Sequence, residues 1–388
     1  MESSTGLIIG IDIQESSSQL CFFDVQTKEP QNILFSDKKT MLDNPVPLSM
    51  WGDISKNGSY NEMEQLVNYI ATLIEYARKL ANVSAIGRIC ITVSDFQVDI
   101  LDAISVIMNK LMLPREQWMV IGHEESYAYY AYNQRRELYA SGVMLVDYGV
   151  NGITAHLMSN GKYNNTEVIM ENKYVLDSED IKAVPNGEKT LEDVEDAIIN
   201  WLAPTLQDYI VSSLYLTGVG FNADKFPDEL TRFFCNRRKV FAGQNIFVKG
   251  ACFAAYEDFY KGKMEDVILA CNNRVTTGIE LNIVERGVRK RLRVIKPGTN
   301  WYQARRKLDF ILEDVSKITL IMKPCDTGKE YYEEIDISEI PYRKGKMTRI
   351  GMDFQFNSDS RCTVTVKDKG FGEFVKSSGK VIYKEISI

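Results

Sequence analysis

Short apolar runs that end on an aspartate open the chain and recur in its middle. Gly6–Ile13 is apolar up to Asp12, a polar turn follows, and Gln19–Asp24 is a second run. The figure returns where Val143–Val146 runs into Asp147, a turn holding Gly149 and Gly152 follows, and Ile153–Met158 leaves as a strand. Runs of this length bounded by turn residues predict buried strands, and two copies predict a duplicated architecture. Between them Met63, Leu66, Val67, Ile70, Leu73, Ile74, Ala77 and Leu80 recur at helical spacing, which predicts a helix over Asn61–Leu80. The same reading gives strands at Ile89–Val93, Trp118–Ile121 and Ser213–Thr217. It gives helices at Val98–Leu111, Glu125–Tyr139, Leu191–Val211 and Phe247–Tyr260. Residues 159–188 read as a polar, turn-rich connection. From about Val275 to Ile388 strands alternate with turns and no amphipathic helix is visible, which predicts a separate β domain.

A length of 388 residues is more than one hydrophobic core serves, so two or three domains are expected. The formal net charge of -7 argues against bulk attraction to nucleic acid or to an anionic membrane. Two basic runs, Arg286–Arg293 and Arg305–Lys307, read as a solvated face or a strand edge. The seven cysteines form no CxxC pair and sit in apolar surroundings, as buried thiols do in a reducing compartment. No signal peptide is visible, and no apolar stretch reaches the roughly 18 residues of a membrane helix. The expected location is cytoplasmic. With two histidines and scattered cysteines, no metal-ligand cluster shows in the sequence, and His123 reads as a loop histidine.

The paired aspartate turns suggest a chemistry. A nucleotide held between two lobes needs glycine turns that bring backbone N–H groups to its phosphates, and carboxylates that hold a hydrated Mg²⁺. Asp12 and Asp147 stand where such carboxylates would be, reaching the metal through water. Ser16 and Ser17 offer hydroxyls at the first turn, Gly149 and Gly152 serve the second, and Gly218 and Gly220 fit a nucleoside turn.

At this point the chain resembles the Hsp70 family over nearly its whole length. GIDIQESSSQLCFFD is similar to the family's first phosphate motif, ICITVSDFQ to its "ITVPAYF" strand, and HEESYAYYAYN to "NEPTAAALAYG". LVDYGVNG resembles "DLGGGT", LTGVGF the adenosine turn, and NIFVKGACFAAY the helix "AVAYGAAIQA". EDVILACNNRVTTGIE is similar to the family's apolar linker and first β-domain strand, and the stretch ending KDKGFGE to its "SAKDKGTGKE" segment. The resemblance implies an α/β two-lobed actin/Hsp70-like ATPase fold with ribonuclease-H-like lobes, followed by an all-β sandwich domain. Lobe I would cover about 1–140, lobe II about 141–262, a linker 263–273, and the β domain 274–388. It implies ATP or ADP with Mg²⁺ as cofactor, Glu124 and Asp147 as catalytic carboxylates, and a protein or peptide client. The client would lie in a β-domain groove near Ile279, Leu281, Phe310, Ile318 and Leu320. The resemblance stops at the β domain, and no helical lid is expected after Ile388.

The departures bear on activity. The family's Asp-x-Gly-Thr turn here has Gln14 in place of glycine and Glu15 beside it, which is expected to set a negative charge where phosphate approaches. The spans Asp12–Val93 and Asp147–Gly218 are too short for the family's full upper subdomains. Four readings stay open: a trimmed chaperone with weak ATPase activity, a structural or regulatory module that binds a partner or nucleotide without turnover, an actin-like filament protein, and a sugar kinase, in which the C-terminal β domain would have no place.

Overall fold

β1 (Leu7–Ile13) is buried at every position, because apolar layers cover both faces of its sheet. The structure is a computed structural model that describes residues 6–35, 39–221, 226–313 and 315–388. The chain divides into two units, residues 1–160 with 171–267, and residues 161–170 with 268–388.

In the first lobe β1 is followed by β2 (Ser17–Asp24), β3 (Glu29–Asn32), β4 (Met41–Asp43), α1 (Trp51–Asn57) and α2 (Tyr60–Ala81). Then come β5 (Ile86–Val93), α3 (Val98–Lys110), β6 (Trp118–Gly122) and α4 (His123–Tyr132). The main path of the sheet is β3-β2-β1-β5-β6, with β2 antiparallel to β1 and β5 parallel to it. α2 starts at a capping box, in which Ser59 and Glu62 satisfy each other's backbone N–H groups, and stops at Asn82 in the left-handed conformation. Its stripe Met63, Leu66, Val67, Ile70, Leu73 and Ile74 is buried in one core with Ile9, Ile11 and Ile13. α4 ends at Tyr132, short of the expected Tyr139, where a 3-10 turn at Arg136–Leu138 takes over.

The second lobe repeats the plan with β7 (Gly142–Gly149), β8 (Gly152–Tyr163), β9 (Thr166–Leu176), α5 (Glu179–Ala183) and α6 (Glu195–Asp208). β10 (Val211–Thr217), α7 (Asp228–Cys235), β11 (Lys239–Ala242) and α8 (Ile246–Tyr260) complete it. The strand order β9-β8-β7-β10-β11 matches that of the first lobe, again with the second strand antiparallel and the fourth parallel to the first. The expected turn-rich connection at 159–188 is instead largely a long hairpin. Asn164 and Asn165, at φ 47° and 67°, make its two-residue turn.

α8 follows lobe II in sequence but packs on the sheet of lobe I, so the boundary drawn at 262 assigns it to the wrong lobe. Val248, Ala251, Cys252, Phe253 and Ala255 share a core with Ile8, Cys21, Cys90 and Ile121. Two glycines allow the approach. A Cβ at Gly10 would lie 2.5 Å from the Val248 carbonyl oxygen, and one at Gly250 would lie 1.9 Å from that of Ser126 in α4.

The second unit holds β12 (Ile268–Ala270), which runs parallel to Val168–Met170 at the hairpin's tip. The stretch expected as a linker therefore includes a paired strand. β13 (Thr277–Glu285), β14 (Val288–Ile295), β15 (Arg305–Leu312), β16 (Lys317–Pro324), β17 (Tyr331–Asp336), β18 (Thr348–Ser358), β19 (Arg361–Asp368) and β20 (Val381–Ser387) follow. They form two antiparallel sheets, β14-β13-β16-β17 and β15-β18-β19-β20. Inward residues of both sheets, among them Leu281, Leu320, Phe354 and Val364, make one hydrophobic cluster. The five residues expected to line a peptide groove belong here. Ile279, Leu281 and Leu320 are buried in this cluster, and Phe310 and Ile318 pack against it. The first three are interior residues, because the alternation that would line a groove is also the alternation that fills a core between two sheets; Phe310 and Ile318 stay partly exposed at its margin.

Candidate functional site

Asp12 closes β1 and is 1% exposed. Both of its oxygens are taken. Oδ1 lies 2.7 Å from His123 Nε2, and Oδ2 accepts from Gln14 Nε2 at 2.9 Å. His123 is the first residue of α4 and stacks face to face on Phe247 of α8, with centroids 3.8 Å apart. Burial pushes the imidazole pKa down. The Asp12 charge and hydrogen bond push it up by more, so His123 titrates above its ordinary value.

The turn after Asp12 is fixed from outside the site. Gln14 N–H donates to the Ser17 carbonyl, and Asn44 Nδ2 donates to the Gln14 carbonyl at 2.8 Å. The Glu15 carboxylate accepts from the Ser49 hydroxyl at 2.6 Å and from the Ser49 N–H at 3.1 Å, just before α1. That corrects the expectation that Glu15 sets its charge at a phosphate position; the side chain is a brace on Ser49. Ser16 is exposed and Ser17 Oγ rests 4.0 Å from Met41 Sδ, so their hydroxyls are not gathered on Asp12. The buried serine of the turn is Ser18, which donates to Asn44 Oδ1 at 2.6 Å.

Lobe II contributes Asp147, at the matching end of β7. Its carboxylate accepts no hydrogen bond among the described residues, and burial raises its pKa against the opposing pull of His123 and His156. Gly218, at φ 94°, presses on it, since a Cβ there would lie 2.6 Å from Asp147 Oδ1 and 2.4 Å from the Tyr148 carbonyl oxygen. A Cβ at Gly220 would fall 2.3 Å from the Tyr148 ring. The expected nucleoside turn is thus packed against Asp147 and Tyr148. Gly152, at φ 124°, faces the Leu176 carbonyl oxygen, and Gly149 has open space around its Cα. The Gln244 side-chain amide clamps Gly218 through two hydrogen bonds, accepting from its N–H at 3.2 Å and donating to its carbonyl at 3.1 Å, while the Gln244 backbone carbonyl accepts from Gln19 Nε2 of lobe I at 2.9 Å.

A second polar group sits beside His123. Glu124 pairs with Lys173 of β9 across the lobes at 3.3 Å, and His156 Nδ1 lies 2.6 Å from Glu171 Oε1. Burial raises the Glu124 pKa, but His156, its own backbone N–H, Lys173 and His123 together hold it below the ordinary value. Glu124, His156 and Glu171 offer three donor atoms within 4.8 Å of one another, a set that suits a divalent first-row metal in number and type. In the fold two members of the set already have partners, Glu124 in Lys173 and Glu171 in His156. Both histidines of the chain therefore lie in the cleft, each on a carboxylate. The loop reading of His123 is corrected on that ground. Its sequence signal was the position of HEES at the mouth of a helix after a buried strand; His156 and Glu171 face each other only through strand register.

The structure brings the expected Asp12, Glu124, Asp147 and Gly218 together in one cleft. The residues there fit magnesium nucleotide poorly. Each Asp12 oxygen already has a side-chain neighbour, His123 on Oδ1 and Gln14 on Oδ2, which a hydrated ion would have to share or displace, and Lys173 is held on Glu124. Gln19 Oε1 and Thr92 Oγ1, both on strands adjoining Asp12, are buried without partners among the described residues, yet neither carries charge to meet a phosphate.

Two lobes with one shared strand order, each with an aspartate near the end of its first strand, define a duplicated α/β two-lobed fold. Residues 54–272 match the model described as family of unknown function (DUF5716) C-terminal, and the chain belongs to that family. Residues 274–388 match the domain of unknown function DUF8552. No curated protein matches the sequence. Among solved structures, the chain is similar to the ROK hexokinase of Thermus thermophilus, at 11% identity and a TM-score of 0.40, over 66% of this chain and 100% of that one. The ethanolamine utilization protein EutJ of Carboxydothermus hydrogenoformans shares 11% identity at a TM-score of 0.40, over 66% of this chain and 92% of that one.

Proposed function

We propose that this chain is a partner-binding protein on an actin/Hsp70-type fold that works without nucleotide turnover, its cleft held by its own side chains. The observation that carries the reading is the engagement of both Asp12 oxygens by side chains of the protein itself, His123 and Gln14. Phosphoryl transfer rests on positioned cations and backbone donors, and here an imidazole and an amide stand in their place. An ATP-driven chaperone cycle is the reading this chemistry disfavours, although the order of motifs and the two-sheet second unit keep the Hsp70 likeness. The second unit is the natural seat of a polypeptide partner. A reducing, cytoplasmic setting suits seven cysteines that form no disulfide, six of them buried. Among the described residues no helix is long and apolar enough to cross a membrane.

The test is calorimetric titration with ATP or ADP in the presence of Mg²⁺. The protein should give no binding heat. The double variant Gln14→Gly, His123→Asn, which frees both Asp12 oxygens, should gain affinity. Micromolar binding by the unaltered protein would refute the reading.

A further inference from the structure

The first basic run of the sequence forms β14, a free edge of its sheet. β13 and β14 join through Arg286 and Gly287, both at positive φ, the two-residue turn that pairs its flanking residues by hydrogen bonds. In register, Glu285 faces Val288, Ile283 faces Lys290, and Leu281 faces Leu292. Hydrogen-bonded pairs alternate with non-bonded ones, so Val288, Lys290 and Leu292 spend their backbone groups on β13. Arg289, Arg291 and Arg293 then direct theirs outward, and no backbone partner meets them among the described residues. The same alternation puts these three side chains on the face opposite the core residues Leu281 and Ile283.

One stretch of edge therefore offers unpaired backbone groups and three guanidinium groups, one at every second residue. Arg291 and Arg293 already show the pairing such an edge makes. They reach Glu280 at 3.7 and 3.8 Å while staying about half exposed, and Arg291 also holds Glu330. Arg289 has no ion pair among the described residues. The second basic run, Arg305–Lys307, opens β15, the edge strand of the other sheet, which touches β14. Basic residues on an edge protect it from apolar or basic strands, but they do not repel an acidic one.

We infer that β14 takes up an extended acidic segment of a partner polypeptide as an added strand, with carboxylates at alternate positions on the arginines. Main-chain hydrogen bonds would supply affinity and the charge pattern selectivity. This names the partner class for the proposed partner-binding role and does not depend on the nucleotide result.

The test uses the full chain and a fluorescein-labelled eight-residue Thr-Glu repeat, read by fluorescence polarisation. Binding is expected, with weakening at high salt and no binding of a Thr-Lys repeat. N-methylation of alternate peptide residues, in both registers, should weaken binding about tenfold or more in the register that loses its donors to β14. Arg289→Glu, at a position without an internal partner, should weaken it about tenfold. Arg289→Gln should fall between. Absence of binding would overturn the inference, as would equal affinity of both N-methylated peptides. Tighter competition by an oligothymidylate would overturn it in favour of a nucleic-acid surface. Concentration-dependent self-association lost in Arg289→Glu would replace the partner with a second copy.

Discussion

His123 and Asp12 form a buried pair 2.7 Å apart. The carboxylate raises the imidazole pKa, and the imidazole and Gln14 each engage one oxygen of the carboxylate. Removing one partner of such a pair leaves the other buried without compensation, which costs about 3 to 5 kcal/mol. Asp12→Ala is therefore expected to lower the urea midpoint strongly, while Gln14→Ala, which leaves the His123 contact in place, should cost far less.

The same pair sets a pH dependence. A histidine whose folded pKa is raised stabilises the fold fully below its unfolded value, near 6.5, and that contribution is lost as pH rises through the folded value. The stability difference between the protein and His123→Gln should shrink with rising pH across that window. Unfolding midpoints at a series of pH values give the trend. The two histidine ring resonances in NMR give the titration directly, and a His123 midpoint at or below about 6.5 would contradict it.

Lys173 is the internal cation of the second cluster. Lys173→Ala removes the charge 3.3 Å from Glu124 and leaves Glu124 and Glu171 around His156. The variant should bind Zn²⁺ or Mn²⁺ more tightly than the unaltered protein, measured by calorimetry. Adding His156→Ala should abolish the gain.

Glycine positions separate packing from openness. Gly250→Ala puts a methyl group 1.9 Å from the Ser126 oxygen and should destabilise by about 3 kcal/mol or more, since neither helix can yield without giving up its core. Gly149→Ala meets nothing within 4 Å and should stay within about 0.5 kcal/mol of the parent. Denaturant unfolding of the two variants side by side reads the contrast.

The duplicated plan was legible because a strand buried on both faces must be a continuous apolar run, and its end at Asp12 or Asp147 is marked by charge. α2 was legible because one face alone is apolar. α8 was not assignable to a lobe, since it is apolar nearly all round and its seat is decided by Gly10 and Gly250, which carry no signature in sequence. Glu15 misled for a similar reason. Its direction is set by Ser49, remote in sequence and brought close only by the fold. Ile279, Leu281 and Leu320 could not be told from groove residues, because alternation is blind to whether a second sheet covers the face. The hairpin at 152–176 was hidden by its polar residues, although Asn164-Asn165 was a usable turn signal.

The KDKG segment, read as a mark of kinship, has a mechanical role that can be tested. Asp368 ends β19 and accepts both guanidinium nitrogens of Arg343, Nη1 at 2.8 Å and Nη2 at 2.6 Å. It also accepts the N–H groups of Gly370 and Ser378, and so ties together both ends of the loop before β20. Its side chain has no exposure. Arg343 and these donors hold its carboxyl well below the usual range. A depressed carboxyl contributes stability that is present above its unfolded pKa, near 4, and is lost as pH falls toward the folded value. The protein should thus lose stability steeply below about pH 4, and Asp368→Asn should be less stable at neutral pH by about 3 kcal/mol or more, because Arg343 is left largely buried and uncompensated. The gap between the two should close in acid. Arg343→Met, which removes the stranded charge from the Asp368→Asn background, should recover part of the loss. Acid titrations of the unfolding midpoint for all three proteins provide the measurement. Equal acid sensitivity in the parent and in Asp368→Asn would show that another carboxylate governs the transition.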